Sequence, residues 1–323
     1  MKHLYSIIFL FSVVSFISAK DKYNGNVFST ESKFIYDACL SVDGKVIVCS
    51  DNNTLKAFTV ENKELLGNFS GGHRSKVLCV AISPDGTMVA SGGGDSNVVV
   101  WDFNTHVIIQ RITFATGKIT SIKFSPDNRF ILFGCSNSPA YLYAIKEQKK
   151  VKEFTDQQLD VTSVAFSSDG SLIAIAGGDK VIRLYNTSDF QLKSKLKGHT
   201  NWVRSIIFYN HDKNLISCGD DKKVIQWNLS TLAYKKKTIL LKNWILCVDI
   251  DNEIVNRTNM YVVGTMNGSI QIDYSLGSYE AKLSSPISKV IFLPNKSGLI
   301  EIVAATLGSG LMSISAANMP ISK

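Results

Sequence analysis

The sequence predicts an all-β chain built as seven copies of one small antiparallel sheet. Turn residues recur at a fixed interval: Asp43, Asp85, Asp127 and Asp169 lie 42 residues apart, and further steps land on His211, Glu253 and Asn295, all in polar stretches. A closing apolar residue follows nearly the same beat, at intervals of 42 to 45 residues, at Phe58, Trp101, Tyr143, Tyr185, Trp227, Ile272 and Ile314. Between these landmarks the chain alternates short β-branched runs with turn residues. The 290 residues from Phe34 to Lys323 hold about seven units, each the size of a four-stranded blade, so the reading is a seven-bladed β-propeller in one domain without a linker.

The stretch from Gly72 to Asp102 shows the unit most completely. Val77–Ile82 is an apolar strand ending at Pro84-Asp85-Gly86, where proline presets φ and glycine accepts the turn. Met88–Ser91 is the second strand. Gly92 to Asn97 is too flexible and polar to continue it, and Val98-Val99-Val100-Trp101 is the third. Gly-His before the first strand, Ser-Gly near the end of the second and Trp-Asp closing the third resemble the WD40 repeat. The resemblance covers residues 34–323, strongest in units two, four and five; in units six and seven it rests on spacing. It implies a seven-bladed WD40-type propeller in which an N-terminal strand, here residues 20–33, completes the last blade. Closure of that kind removes two unpaired sheet edges.

His73, Ser91, Asp95 and Trp101 are the residue types of a nucleophilic triad plus an indole, and His199, Ser217, Asp221 and Trp227 repeat them at identical intervals. An enzyme needs one activated serine, so the duplication argues against catalysis. The resemblance implies a structural tetrad instead, in which indole, hydroxyl, imidazole and carboxylate form a hydrogen-bonded chain. The five histidines form no ligand-spaced cluster, so no metal is expected. Gly92-Gly93-Gly94 lacks the Lys-Ser/Thr of a phosphate loop, and no cofactor is expected.

Residues 1–19 differ in kind: a short basic head, an apolar run over Leu4–Ile17, then the small Ser18-Ala19. That layout predicts a secretory signal peptide, with a membrane anchor as the alternative, leaving a propeller over residues 20–323. Seven Asn-x-Ser/Thr sequons, at Asn52, Asn68, Asn186, Asn228, Asn256, Asn267 and Asn295, become glycan acceptors if the chain enters that route. The six cysteines fall at first strands and second-strand ends, as small buried hydrophobes do; Cys39 and Cys49 are near enough in one hairpin to pair in an oxidising lumen.

The formal charge is +8, and its placement is more informative. Lys149 and Lys150, then Lys193, Lys195 and Lys197, then Lys235, Lys236 and Lys237 fall in the expected outer strands of blades three, four and five. Lysine there discourages edge pairing, and it also suits an acidic membrane surface or polyanion. The Phe-Arg-Arg-Gly motif of phosphoinositide-binding propellers is absent, and no aromatics are interleaved for stacking on nucleic acid. WD40 proteins usually bind partners on the narrow top face, next to the first strands. Here those positions are Arg74, Lys76, Lys118, Asp160, Asn201, Trp202, Arg204, Asn243, Trp244 and Ser288, with Trp202 and Trp244 outside the tetrad positions. The expected function is a non-enzymatic scaffold, a monomer or a subunit of a complex, that binds a protein or peptide. A lumenal propeller hydrolase is the enzymatic alternative and requires histidines and carboxylates around the central channel.

Overall fold

The computed structural model describes residues 15–16, 27–113, 115–137, 139–234, 239–250, 260–274, 277–293 and 300–316. Their regular elements are all strands, in seven sheets, antiparallel but for one short pairing in blade six, that follow one another along the chain as the blades of a propeller. The innermost strands are Ala38–Leu40, Val77–Ile82, Ile119–Phe124, Val161–Phe166, Val203–Tyr209, Ile245–Ile250 and Ile287–Phe292. Each closing residue predicted from the 42-residue beat lies in a third strand, and all seven are buried.

The turns between first and second strands show why the aspartates recur. Asp43, Asp85, Asp127 and Asp169 each accept a bond of 2.6 Å from the serine two residues earlier, Ser41, Ser83, Ser125 and Ser167. Each also accepts the backbone N–H two residues on, fixing the hairpin from both sides. Blade five replaces this device with Asn210, His211 and Asp212, all at positive φ.

Sheets pack face to face around the ring, and each apolar cluster belongs to one pair of neighbours. Phe58 and Ile47 of blade one meet Ile291 and Val303 of blade seven, for example, and Leu142 of blade three meets Val161 and Tyr185 of blade four. The N-terminal stretch joins the first of these. Val27 bridges Met312, the Phe28 N–H donates to the Leu311 carbonyl, and the Phe28 ring stands edge-on to Phe58 at 5.5 Å. Residues 20–26 of the expected closing strand lie outside the described residues. So does segment 1–19, apart from Ser15–Phe16, which pair in parallel with Tyr279 and Glu280 of blade six.

Six of the seven blades carry a register shift between first and second strands at the same place, beginning at Val77/Cys79 and ending at Ile287/Lys289. The extra residue turns towards the axis, as bulges re-aim side chains. Thr120, Thr162 and Ser288 are such residues, and their hydroxyls donate to the Val161, Val203 and Ile35 carbonyls of the next blade. Asp37, Ser121, Ser163 and Asp249 add further ties by accepting the N–H of Val80, Val164, Ile206 and Phe292. These latches surround a central channel of about 750 Å³.

All six cysteines are free. Cys39 opposes Val48 and Cys49 opposes Ala38, so the two thiols are not joined. Burial pushes the Cys39, Cys135 and Cys247 thiols up to about 12, which keeps them protonated and unreactive.

Candidate protein-interaction face

Two blades carry the hydrogen-bonded chains. In blade two the Trp101 Nε1–H donates to Ser91 Oγ at 2.8 Å, Ser91 Oγ lies 2.8 Å from His73 Nε2, and His73 Nδ1 lies 3.1 Å from Asp95. In blade five the same steps measure 2.8, 2.8 and 2.9 Å through Trp227, Ser217, His199 and Asp221. The carboxylates also accept the N–H of Arg74 and of Thr200, pinning the loops that enter the first strands. The order Asp, His, Ser matches a nucleophilic triad. Yet both serines are fully buried beneath an indole, so no substrate carbonyl reaches either one.

Burial holds His73 below its ordinary value of 6.5, against the pull of Asp95. Below pH 6.5 the unfolded chain takes up a proton that the folded imidazole resists. The stability His73 contributes is therefore complete above that pH and is lost as pH falls towards the folded pKa. Asp95 is depressed too: burial opposes this but is outweighed by the Arg74 N–H and His73. Its contribution is lost only in stronger acid, below the ordinary carboxylate value of 3.8. Melting temperature is expected to drop between pH 7 and pH 5.5, with a shallower slope in His73→Gln; equal slopes in the two proteins would contradict this assignment.

The same pinned loops form the top face. Arg204 is the bulge residue of blade five. It stacks its guanidinium 4.9 Å from the centre of the Trp202 ring and forms a two-point pair with Asp220 at 2.8 and 2.5 Å. Its charge is therefore committed. Trp202 is half-buried over Gly178, where any Cβ would lie 2.9 Å from the indole and 3.1 Å from Leu159. One blade further round, Trp244 is 48% exposed, and the Met266 N–H donates to its carbonyl. Leu159 and Met266, at 48% and 45%, continue the line, so an apolar arc runs over blades four, five and six. Sequence reasoning missed Leu159 and Met266; a large apolar residue inside a polar loop was the available signal.

The remaining top-face positions divide. Arg74 and Lys118 are exposed, and Lys76 holds its ammonium 5.4 Å over the Tyr36 ring beside the exposed Phe34. Asn201 is exposed and its Oδ1 accepts the Trp202 N–H, and Asn243 is half-buried. Asp160 accepts the Asn137 N–H within its own face. Ser288 is half-buried, and its hydroxyl donates to the carbonyls of Ile35 and Ala305, closing the ring between blades seven and one. On the rim, Lys149, Lys150, Lys193, Lys195 and Lys197 lie in outer strands, while Lys235, Lys236 and Lys237 lie outside the described residues.

A seven-bladed ring carrying these tetrads defines the class. The family model described as WD domain, G-beta repeat matches residues 63–102, 108–138, 148–186 and 190–228, and the chain belongs to the WD40-repeat family. It is 40% identical over 68 residues to WD repeat-containing protein 1 of Gallus gallus, covering 21% of this chain and 11% of that protein. It is 36% identical over 59 residues to the small ribosomal subunit protein RACK1 of Drosophila melanogaster, 18% of each. It is 56% identical over 34 residues to the Notchless protein homolog of Arabidopsis thaliana, 10% of this chain and 7% of the relative. The matched stretches thus span less than a fifth of these relatives' lengths.

Proposed function

We propose that this propeller is a scaffold that holds a protein partner on its top face, over the arc Leu159, Trp202, Trp244 and Met266. The observation that carries the reading is the grouping of large apolar side chains, three of them nearly half exposed, on either side of a blade-five loop that its tetrad and the Arg204–Asp220 pair hold in place. Rigid aromatic anchors beside a committed arginine lose little freedom on binding. The family supports the general role, and one relative is by name part of a ribosomal subunit, an assembly of many components. The test compares capture of partners by the native chain with capture by Trp202→Ala/Trp244→Ala, whose fold is checked by melting.

A further inference from the structure

We propose a second docking site, independent of the top face: the groove between the outer edges of blades three and four takes an extended acidic peptide segment anchored by one large apolar side chain. The register places the charges. Lys195 pairs with Arg183 and Lys197 with Val181 on the side of blade four that carries Tyr185, and the Tyr185 ring lies 4.7 Å from Phe154 of blade three. Lys193 sits at the bulge of the same strand, two residues before Lys195. From the opposite wall, Lys152 pairs with Leu142 on the side of blade three that faces blade four. Among the described residues none of these four lysines makes an ion pair. Lys150 pairs with Glu153 and lies over Tyr141, on the side towards blade two, and the buried Arg183 is matched by Asp179. The groove therefore carries surplus positive charge on side chains spaced about 7 Å apart, two residues of extended strand.

An apolar pocket lies at the start of that ladder. A cavity of about 420 Å³ between the same two blades is lined by Phe130, Leu142, Phe166 and Phe190, and Phe190 precedes Lys193 by three residues, about 10 Å of strand. At the same pocket Arg129 pairs with Asp127 at 2.6 Å, leaving the Asp169 carboxylate and the phenylalanine rings to disfavour an acidic residue there. They set the polarity of the occupant, with its apolar residue in the pocket and its acidic residues along the lysines at alternate positions. A flat membrane cannot enter a cleft between blades, and a sulfated or phosphorylated polyanion has nothing to place among the phenylalanines, so a peptide fits both halves of the site.

The probe is a fluorescein-labelled peptide with one leucine followed, from the third residue on, by glutamates at every second position, titrated by anisotropy against the full chain. Saturable binding is expected that weakens about tenfold or more when the leucine is replaced by serine, the loss of one buried aliphatic side chain. It should fall with added salt and disappear in Lys193→Glu/Lys195→Glu/Lys197→Glu, which should melt like the native chain. Should that variant fail to fold, Lys195→Gln and the salt dependence carry the same test. Trp202→Ala/Trp244→Ala should bind the peptide normally, which separates this site from the top-face reading. Absence of saturable binding, indifference to the lysine changes, or equal affinity for the serine peptide with full competition by heparin would overturn the proposal, the last by reducing the groove to a polyanion surface.

Discussion

Trp101→Ala is expected to lower the folding free energy by about 3–5 kcal/mol, the range for removing a large aromatic from a tight core. The indole is 1% exposed, packs edge-on to Phe69 at 5.8 Å and supplies the N–H that Ser91 accepts. Its loss leaves a cavity between blades one and two and also breaks the chain reaching His73 and Asp95. Ser91→Ala should cost less, about 1–3 kcal/mol, because the packing survives while two buried polar groups lose their partner. Trp227→Ala acts in the separate cluster between blades four and five, so the two tryptophan effects should add. Denaturant unfolding of the single and double variants checks this, and a Trp101→Ala loss below that of Ser91→Ala would contradict it.

Asp179→Ala should destabilise by about 3–5 kcal/mol, and adding Arg183→Ile should recover much of the loss. Blade four has rewritten the tetrad: Gln157 stands at the histidine position, Ile175 at the serine and Tyr185 at the tryptophan. Asp179 is retained but pairs with Arg183 at 2.6 Å, both side chains about 95% buried, and the Tyr185 hydroxyl turns to Asp156. Removing the aspartate strands a guanidinium in a dry site. Removing both charges leaves no unpaired ion, with an apolar residue at the arginine position like Val99 and Ile225 of blades two and five. Recovery is read as a rise in melting temperature from the single to the double variant, and no rise would mean that Arg183 is held by something other than Asp179.

What was legible in the chain was periodic. A near-42-residue beat and its closing apolar residues, five aromatics and two isoleucines, placed all seven third strands, even in blades six and seven where the motif had faded, because inter-sheet packing requires an apolar residue there whatever its identity. Contacts that need the closed ring were not legible. Asp37 and Val80 are 43 residues apart, and nothing local marks an acid that accepts a neighbouring blade's N–H. The repeated bulge was hidden for the same reason, and with it the placement of Arg204 under Trp202. Of the top-face residues, Trp202 and Trp244 were visible as tryptophans outside the tetrad. Ser288 resembled them by position alone, and its bond to Ile35 follows from ring closure between blades at opposite ends of the chain.

The most direct measurement of the central claim is the affinity of a captured partner for the native chain and for Trp202→Ala/Trp244→Ala, beside the rim variant Lys193→Glu/Lys195→Glu/Lys197→Glu as a control. Truncating two anchors at the centre of an interface should weaken binding by about 2–4 kcal/mol in a protein that still folds, with the rim variant unchanged for a top-face partner. Native affinity in the double tryptophan variant would contradict the account and place the partner elsewhere on the propeller.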